Sequence, residues 1–399
     1  MDKILDHLKN KIIPFWINLT DHKNGGFYGF MNNDLMLNKQ SDKSLISHSR
    51  HLYSFSLWYE YFKTEELEDA ANHAYKYLEN EFVDKYFSGY YWNLSYDGKP
   101  IDKTKNIYGH AFVIYGLSEY GRVFNNNEAI NKAFELFLLI EKQAYDQGYY
   151  KEQFNEKWIK ENGTLVAPEE DNYPYTTNTL LHIFEAYTNL YKVKKDELLK
   201  DRLLEIVNTF KEKLYDEKNN SFFLYFNDKK EVVKQSGSYG HDIETCWLLD
   251  ETIKVLKIED KKLDEIILKV AEAVYKNAFT NEGLIIEVSG IDVNNKIWWV
   301  QAEAMVGFYN HYQKTKDPIY LEAVKSIYKF TAEVIVDKRN GSEWFWGVDE
   351  NNNPLKNRGI VEGWKSSYHN GRAFIELLKR GLKLWYTKNI INLKRSKTS

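Results

Sequence analysis

The chain has 399 residues, with 54 basic and 58 acidic side chains and a formal net charge of -4. This near balance, without a basic stripe, argues against a nucleic-acid or anionic-membrane partner. Its one cysteine, Cys246, excludes an internal disulfide framework, and no apolar window is long enough to span a bilayer. We therefore expect a soluble, cytoplasmic protein.

The first segment, MDKILDHLKNKIIPFW, has the apolar spacing of an amphipathic helix, which we expect to end near Pro14. It lacks the continuous apolar centre of a signal peptide. Further along, an apolar, aromatic type of helical segment recurs six times, roughly 60 to 70 residues apart, which indicates a repeat architecture. Its copies begin at His51, Ala111, Leu181, Glu244, Ala302 and Arg372. Amphipathic helices with charged outer faces lie between them.

A second type of segment alternates with the first. It is short and aromatic, and most copies are led by Gly or Asn. The six copies begin at Gly25, Gly89, Gly148, Asn220, Glu282 and Gly341. Strand-forming residues that end in Asp-Gly, Asn-Asp or a run of Asn predict short β-hairpins here.

Six helix pairs with six hairpins predict an all-α fold. We expect an (α/α)6 toroid of twelve helices in an inner and an outer ring, with short β-hairpins at one end. The nearly apolar helices would form the inner ring and the amphipathic helices the outer ring. Because no Pro-, Gly- or Ser-rich linker interrupts the period, residues 1–390 are predicted to form a single (α/α)6-barrel domain. Residues 391–399 are predicted to be a basic, frayed tail.

Each predicted inner helix begins just after a polar cluster. The starts of parallel inner helices face the same end of a ring, so these clusters should converge on one central cleft. The side chains expected there are Arg50, His110, His182, His241, Glu244, Trp247, Trp298 or Trp299, Glu303, His369 and Arg372. A structural role is the ordinary explanation for any one histidine. Four at corresponding positions favour a site, because isolated buried imidazoles carry a desolvation cost.

The residue types of this cleft limit its chemistry. The sequence has no HExxH, CxxC, GxGxxG or GxxxxGK motif, so we expect neither a metal nor a nucleotide cofactor. Paired carboxylates would suit a glycosidase, with Glu244, Glu303 and Asp242 as candidates. Paired imidazoles would suit proton abstraction beside a carbonyl, because histidine titrates near neutral pH. Glu244, one turn after His241, could then orient that ring, and Arg50 could stabilise an oxyanion.

The chain resembles the cellobiose 2-epimerases of the N-acylglucosamine 2-epimerase superfamily in motifs spread from end to end. These motifs are IIPFW, NGGFYGF, HSR, YGHDIE, WWVQAEA, VGFYN, DKRNGSEW and YHNGR. The resemblance implies an (α/α)6 barrel that interconverts the reducing-end glucose and mannose of β-1,4-linked disaccharides without a cofactor. Cellobiose, lactose and mannobiose are the expected substrates. The chain departs from the family pattern at WKSSYHNGR, where the family has WKxPYHNGR, and this leaves the preferred disaccharide open.

Residue by residue, the resemblance implies two general acid/base histidines and two carboxylates that support them, which are His241, His369, Glu244 and Glu303. It also implies four substrate-binding residues, which are Arg50, His182, Trp247 and Trp299. The expected partner is a small-molecule disaccharide, bound by a monomer or weak homodimer. An aldose–ketose isomerase of the same superfamily is the runner-up, followed by a glycosidase and a non-catalytic sugar-binding protein.

Overall fold

The computed structural model describes residues 2–161, 173–234, 237–280, 282, 285–286 and 294–384. Six helices in these ranges form an inner ring, since each contacts the next inner helix and the sixth contacts the first. Their bounds are Leu45–Phe62, Ile107–Phe124, Thr177–Val193, Tyr239–Leu256, Trp298–Thr315 and Tyr368–Lys379. They are buried on most sides, as in the second inner helix, which is buried without a break from Ile107 to Gly121. The closed ring confirms the predicted toroid.

The outer helices surround this ring and bury one face each. Lys261–Ala278 buries residues at the three-and-four spacing of an amphipathic helix, which are Leu263, Ile266, Ile267, Val270, Ala271 and Val274. The others include Glu65–Tyr77, Asn127–Gln143, Glu197–Thr209 and Pro318–Phe330. Three of them continue as π-helical segments, which are Leu78–Phe82, Phe210–Leu214 and Thr331–Ile335.

The first outer helix is built from three joined segments, Lys3–His7, Leu8–Ile12 and Ile13–Ile17, and the middle one is π-helical. The predicted end near Pro14 is wrong, because Pro14 lies in the first turn of the last segment. The π-helical segment before it interrupts the regular hydrogen-bond ladder, so the missing N–H of proline is tolerated there.

Short strands connect the hairpins to the starts of the inner helices. Four inner helices directly follow a two-residue strand, which is Lys43–Ser44, Lys105–Asn106, Tyr175–Thr176 or Lys296–Ile297. These strands pair in turn with Asn93–Leu94, Gln153–Phe154, Tyr225–Phe226 and Gly347–Val348. The remaining pairs are Phe30–Met31 with Leu37–Asn38, Pro100–Asp102 with Asn93–Leu94, Tyr145–Asp146 with Tyr149–Tyr150, Tyr215–Asp216 with Ser221–Phe222, and Val232–Lys234 with Tyr225–Phe226. The hairpins therefore lie at the end of the barrel where the inner helices begin, as predicted, except that most of the segment from Glu282 lies outside the described residues.

A repeated hydrogen bond fixes hairpins to inner helices. In four inner helices, the side chain at the fourth position accepts a backbone N–H from a hairpin at 2.9 or 3.0 Å. The acceptors are His48, His110, Asp242 and Gln301, and the donors are Phe27, Tyr90, Phe222 and Ile285. Two histidines of the predicted polar clusters are therefore part of the scaffold.

The predicted extent of the domain is covered only to residue 384, and the basic tail at 391–399 lies outside the described residues. A single domain over 1–390 therefore stays a prediction. Among the described helices, none has both the length and the apolar character needed to cross a bilayer.

Candidate active site

His241 lies at the third position of the fourth inner helix, at the mouth of the barrel. Its helix is capped by Ser238, whose hydroxyl oxygen accepts the backbone N–H of His241 at 3.3 Å. The same oxygen lies 2.7 Å from the ring nitrogen Nδ1, and no described residue hydrogen-bonds Nε2. The ring is partly exposed and packs 4.9 Å from the Trp299 ring. Burial by the surrounding protein lowers the pKa of His241 to about 3.

His369 lies on the sixth inner helix and faces the same indole. Its Nδ1 is 2.7 Å from Glu303 Oε1 on the fifth inner helix, and its ring centre is 5.5 Å from that of Trp299. Burial, followed by the positive charges of Arg50 and Arg372, lowers the pKa of His369 well below its ordinary value. Trp299 thus contacts both imidazoles, which come from helices on either side of its own.

A buried arginine organises the carboxylates beneath these rings. The Arg372 guanidinium donates to Glu244 Oε1 and to Glu303 Oε1, both at 2.7 Å, and also to Glu185. Burial raises the pKa of Glu303, and burial together with the Glu303 charge raises that of Glu244 well above its usual range. Although burial opposes it, the Arg372 charge and His182 hold the pKa of Glu185 at about 2. Arg372 is therefore paired with one ionised carboxylate and two that retain protons more readily.

Three of these groups have the spacing of a metal site. Glu244, Glu303 and His369 each offer one ligand atom, and these atoms lie within 4.8 Å of one another. The Arg372 guanidinium already donates to both carboxylates, and its positive charge would repel a second cation bound there. This pairing disfavours a metal ion at the cluster, and the expectation of a metal-free site stays a prediction.

Arg50 and His182 form a neighbouring wall. Arg50 donates to the Tyr108 hydroxyl at 2.8 Å and to the Trp364 carbonyl at 2.9 Å. His182 Nδ1 lies 2.9 Å from Glu185 Oε2, and its ring packs 4.9 Å from that of Tyr108. Burial lowers the pKa of His182. Both predicted substrate-binding residues therefore meet at Tyr108, with their polar atoms held in fixed directions.

Two predicted contacts at this site are wrong. Glu244 does not orient His241, because its Oε1 accepts from Arg372 and Ser238 contacts the ring instead. Trp247 is not an open aromatic wall: its indole N–H donates to Glu303 Oε2 at 3.0 Å, and its ring lies 4.7 Å from the Arg372 guanidinium. Trp247 therefore supports the site from below.

His110 is not part of the site. Its Nε2 accepts the Tyr90 N–H and its Nδ1 lies 2.6 Å from the Asn106 carbonyl oxygen, so both ring nitrogens are used in the scaffold. Trp298 is buried against Trp346, which leaves Trp299 as the indole between the histidines. His110 is the fourth residue of its helix and His241 the third of its own, so the two rings point in different directions.

The structure adds residues that the sequence reasoning did not identify, which are Ser238, Glu185, Tyr108 and Trp364. Two of them carry a readable signal. Ser238 stands three residues before His241, the spacing of an N-cap, and Glu185 stands three residues after His182 on the same helix face. Tyr108 and Trp364 carry no comparable signal, because each contacts Arg50 from a different repeat, 58 and 314 residues away along the chain.

The mouth of this helical barrel presents two imidazoles, each held at Nδ1, on either side of an indole. Acid/base groups beside a flat aromatic face suit the processing of a sugar. The chain belongs to the N-acylglucosamine 2-epimerase (GlcNAc 2-epimerase) family, which it matches over residues 25–373. It is 43% identical over 381 residues to the cellobiose 2-epimerase of Dictyoglomus turgidum, covering 95% of this chain and 98% of the relative. The solved structure of cellobiose 2-epimerase from Bacillus thermoamylovorans B4167 matches with a TM-score of 0.91 at 39% identity, covering 95% of this chain and 98% of that one. More distantly, the D-mannose isomerase of Marinomonas mediterranea is 24% identical over 394 residues, covering 92% of this chain and 95% of the relative.

Proposed function

We propose that this chain is a cellobiose 2-epimerase, which interconverts the reducing-end glucose and mannose of β-1,4-linked disaccharides. Relatives of that name, similar over nearly the whole chain, support the activity. The observation that carries the proposal is the pair His241 and His369, which contact Trp299 and each have Nδ1 bound and Nε2 without a described protein partner. Two such nitrogens can exchange protons with a sugar held between them.

The chemistry of epimerisation dictates what the two rings do. The proton on carbon 2 is acidic only beside a carbonyl, so the sugar ring first opens to its aldehyde with the help of an acid/base group. One imidazole then removes that proton and leaves a cis-enediolate, whose charge is stabilised by Arg50 and imidazole N–H groups. The other imidazole returns a proton to the opposite face, and the ring closes. The reverse reaction exchanges the two roles.

The pKa shifts of these groups indicate which of them can take a proton and which can give one. Because its pKa is lowered to about 3, His241 enters the cycle neutral at pH 7. Burial raises the pKa of Glu303 and lowers that of His369, which disfavours an ion pair across their 2.7 Å contact, and we propose that the two groups share one proton. His369 can give its Nε2 proton to the sugar while Nδ1 takes the proton of Glu303. The Glu303 carboxylate left behind is stabilised by Arg372.

The proposed sugar-binding roles differ between the partly exposed and the buried side chains. Trp299, which contacts both histidines, and Trp364, which lies beside Tyr108, are partly exposed indoles that offer flat faces for sugar rings. Arg50 and His182, buried behind them, are placed to contact the oxygens of the opened sugar. The substrate is a disaccharide, and we propose a monomer or weak homodimer that needs no metal or nucleotide.

An aldose–ketose isomerase is the alternative, since it uses the same proton abstraction but returns the proton to carbon 1. The D-mannose isomerase relative favours it, at lower identity. A glycosidase is disfavoured by one specific observation: Glu244 and Glu303 are fully buried and bind the same arginine, so neither carboxylate is exposed to an attacking water.

The test is to identify the products formed from cellobiose, lactose, mannobiose, glucose and mannose. Glucosyl-mannose from cellobiose supports the epimerase, a ketose product the isomerase, and released glucose the glycosidase. His241→Gln and His369→Gln are each expected to reduce turnover by about 100-fold or more. His110→Gln is the matched control, because Gln301 already makes the equivalent scaffold contact in another repeat. Near-normal activity in either of the first two variants would remove that histidine from the mechanism.

A further inference from the structure

The two imidazoles of the site have unequal Nδ1 partners. His369 has a carboxylate, Glu303, at 2.7 Å, whereas His241 has the neutral hydroxyl of Ser238 at the same distance. Ser238 also accepts the backbone N–H of His241 at 3.3 Å, as the N-cap of the fourth inner helix. One fully buried hydroxyl therefore fixes both the first turn of this helix and the ring that projects from it.

We propose that Ser238 is a positioning residue for proton transfer by His241, an inference that rests on the proposed epimerase function. A hydroxyl both donates and accepts, so it supports either neutral tautomer of the ring. When Nδ1–H donates to Ser238, Nε2 offers a lone pair that can take the carbon-2 proton. When the hydroxyl donates to Nδ1, Nε2 carries the proton and can donate a hydrogen bond to a sugar oxygen. The resting ring stays uncharged in both cases.

A carboxylate in the place of Ser238 would act differently. When ionised, it accepts hydrogen bonds without donating, so it would hold the proton on Nδ1 and favour the charged imidazolium. The titratable groups that act on His241 from the neighbouring helices are His182, which lowers its pKa, and Glu303, which raises it. Neither hydrogen-bonds to the ring. Among the described residues, the Ser238 hydroxyl is the hydrogen-bond partner of the ring, and Trp299 packs beside it.

Three substitutions at this position separate capping from ring support. Ser238→Ala removes both and should lower kcat for cellobiose by about 10- to 100-fold, the range typical of partners that orient a functional histidine. Ser238→Thr keeps both functions and should restore kcat to within about threefold of the parent. Ser238→Asp keeps the cap and places a charge at Nδ1, so the acid limb of the kcat/KM profile should move up by about one to three pH units.

The control for capping alone is Thr176→Ala. Thr176 caps the third inner helix by accepting the Thr179 N–H at 3.1 Å, and within the described ranges its side chain forms no hydrogen bond with a histidine. This variant should show a comparable drop in melting temperature with unchanged kcat. Ser238→Ala with the same kcat as Thr176→Ala would overturn the proposal. Equal loss of kcat in Ser238→Ala and Ser238→Thr would also overturn it.

A second readout needs no turnover. Long-range ¹H–¹⁵N spectra of histidine-labelled protein report the tautomer of each ring, and His241 can be assigned from its absence in His241→Gln. Ser238→Ala is expected to change the His241 nitrogen shifts, and Ser238→Thr to preserve them. Unchanged shifts in Ser238→Ala would refute the positioning role. If the parent protein forms no epimer from cellobiose, the proposed function fails, while these spectra still decide whether Ser238 controls the ring.

Discussion

Replacing Glu303 with glutamine keeps the shape of the side chain and removes its capacity to release and take up a proton. Glu303 Oε1 meets His369 Nδ1 and the Arg372 guanidinium, each at 2.7 Å, and Oε2 accepts the Trp247 N–H at 3.0 Å. A glutamine amide has a single acceptor oxygen, so its NH2 group must face at least one of these donors. A hydrogen bond to a charged group contributes about 1.5–3 kcal/mol, which predicts a loss in kcat of about 10- to 150-fold.

Glu303→Gln should lower the unfolding free energy as well as kcat, and the two losses have different causes. The donor left without an acceptor costs about 1–3 kcal/mol of unfolding free energy, because it is buried. Trp247→Phe removes one donor, so the double variant Glu303→Gln/Trp247→Phe should recover part of the stability and none of the kcat. The assays are steady-state epimerisation of cellobiose and urea denaturation. A kcat for Glu303→Gln within about threefold of the parent would refute the shared-proton role of the His369–Glu303 pair.

Three further outcomes are expected. Because the pKa of His241 is lowered to about 3, kcat/KM should stay level from pH 7 to 5 and fall only at lower pH; a limb near pH 6.5 would contradict this. The pKa of His110 is also lowered to about 3 by burial, so the unfolded chain binds the extra proton between about pH 6.5 and 3 and unfolding free energy falls as pH drops. His110→Gln should remove about 1.4 kcal/mol per pH unit of that slope and keep activity; an unchanged slope in urea titrations would count against it. Trp299→Ala should raise KM for cellobiose, and an unchanged KM would mean that its indole does not bind sugar.

The architecture was predictable because its signals are local. Apolar, aromatic helices at a regular interval and amphipathic helices between them are properties of short stretches of sequence, and they define the two rings. The caps are equally local: Ser44, Asn106, Thr176 and Ser238 each stand just before an inner helix and accept an N–H from its first turn. The convergence of the inner helix starts on one cleft follows from these two observations together.

The direction in which an individual side chain points could not be predicted, because it changes when the helix start shifts by one residue. The tripeptide Tyr-Gly-His occurs at residues 108–110 and 239–241, but the second inner helix begins at Ile107 and the fourth at Tyr239. His110 is therefore at the fourth helical position and His241 at the third, a rotation of about 100° around the helix. His110 turns to the hairpin and His241 to the cleft.

Contacts between residues of different repeats could not be predicted from the sequence either. Glu244 shares a helix face with His241, but its carboxylate pairs with Arg372, 128 residues away along the chain. Arg372 forms ion pairs with three carboxylates at one buried point. This long-range pairing determines where Glu244 points and outweighs its spacing of three residues from His241. Trp247 is drawn into the same cluster by its N–H, which explains why an aromatic residue expected at the surface of the cleft lies beneath it.

In the proposed mechanism, imidazoles exchange a proton at carbon 2 of a disaccharide with solvent. Incubating the protein with cellobiose in heavy water and locating deuterium by NMR tests it directly. Deuterium is expected at carbon 2 of the glucosyl-mannose product, and it should be lost in His241→Gln and His369→Gln. Epimerised product that retains its original hydrogen at carbon 2, with no deuterium at that carbon in any disaccharide, would contradict it.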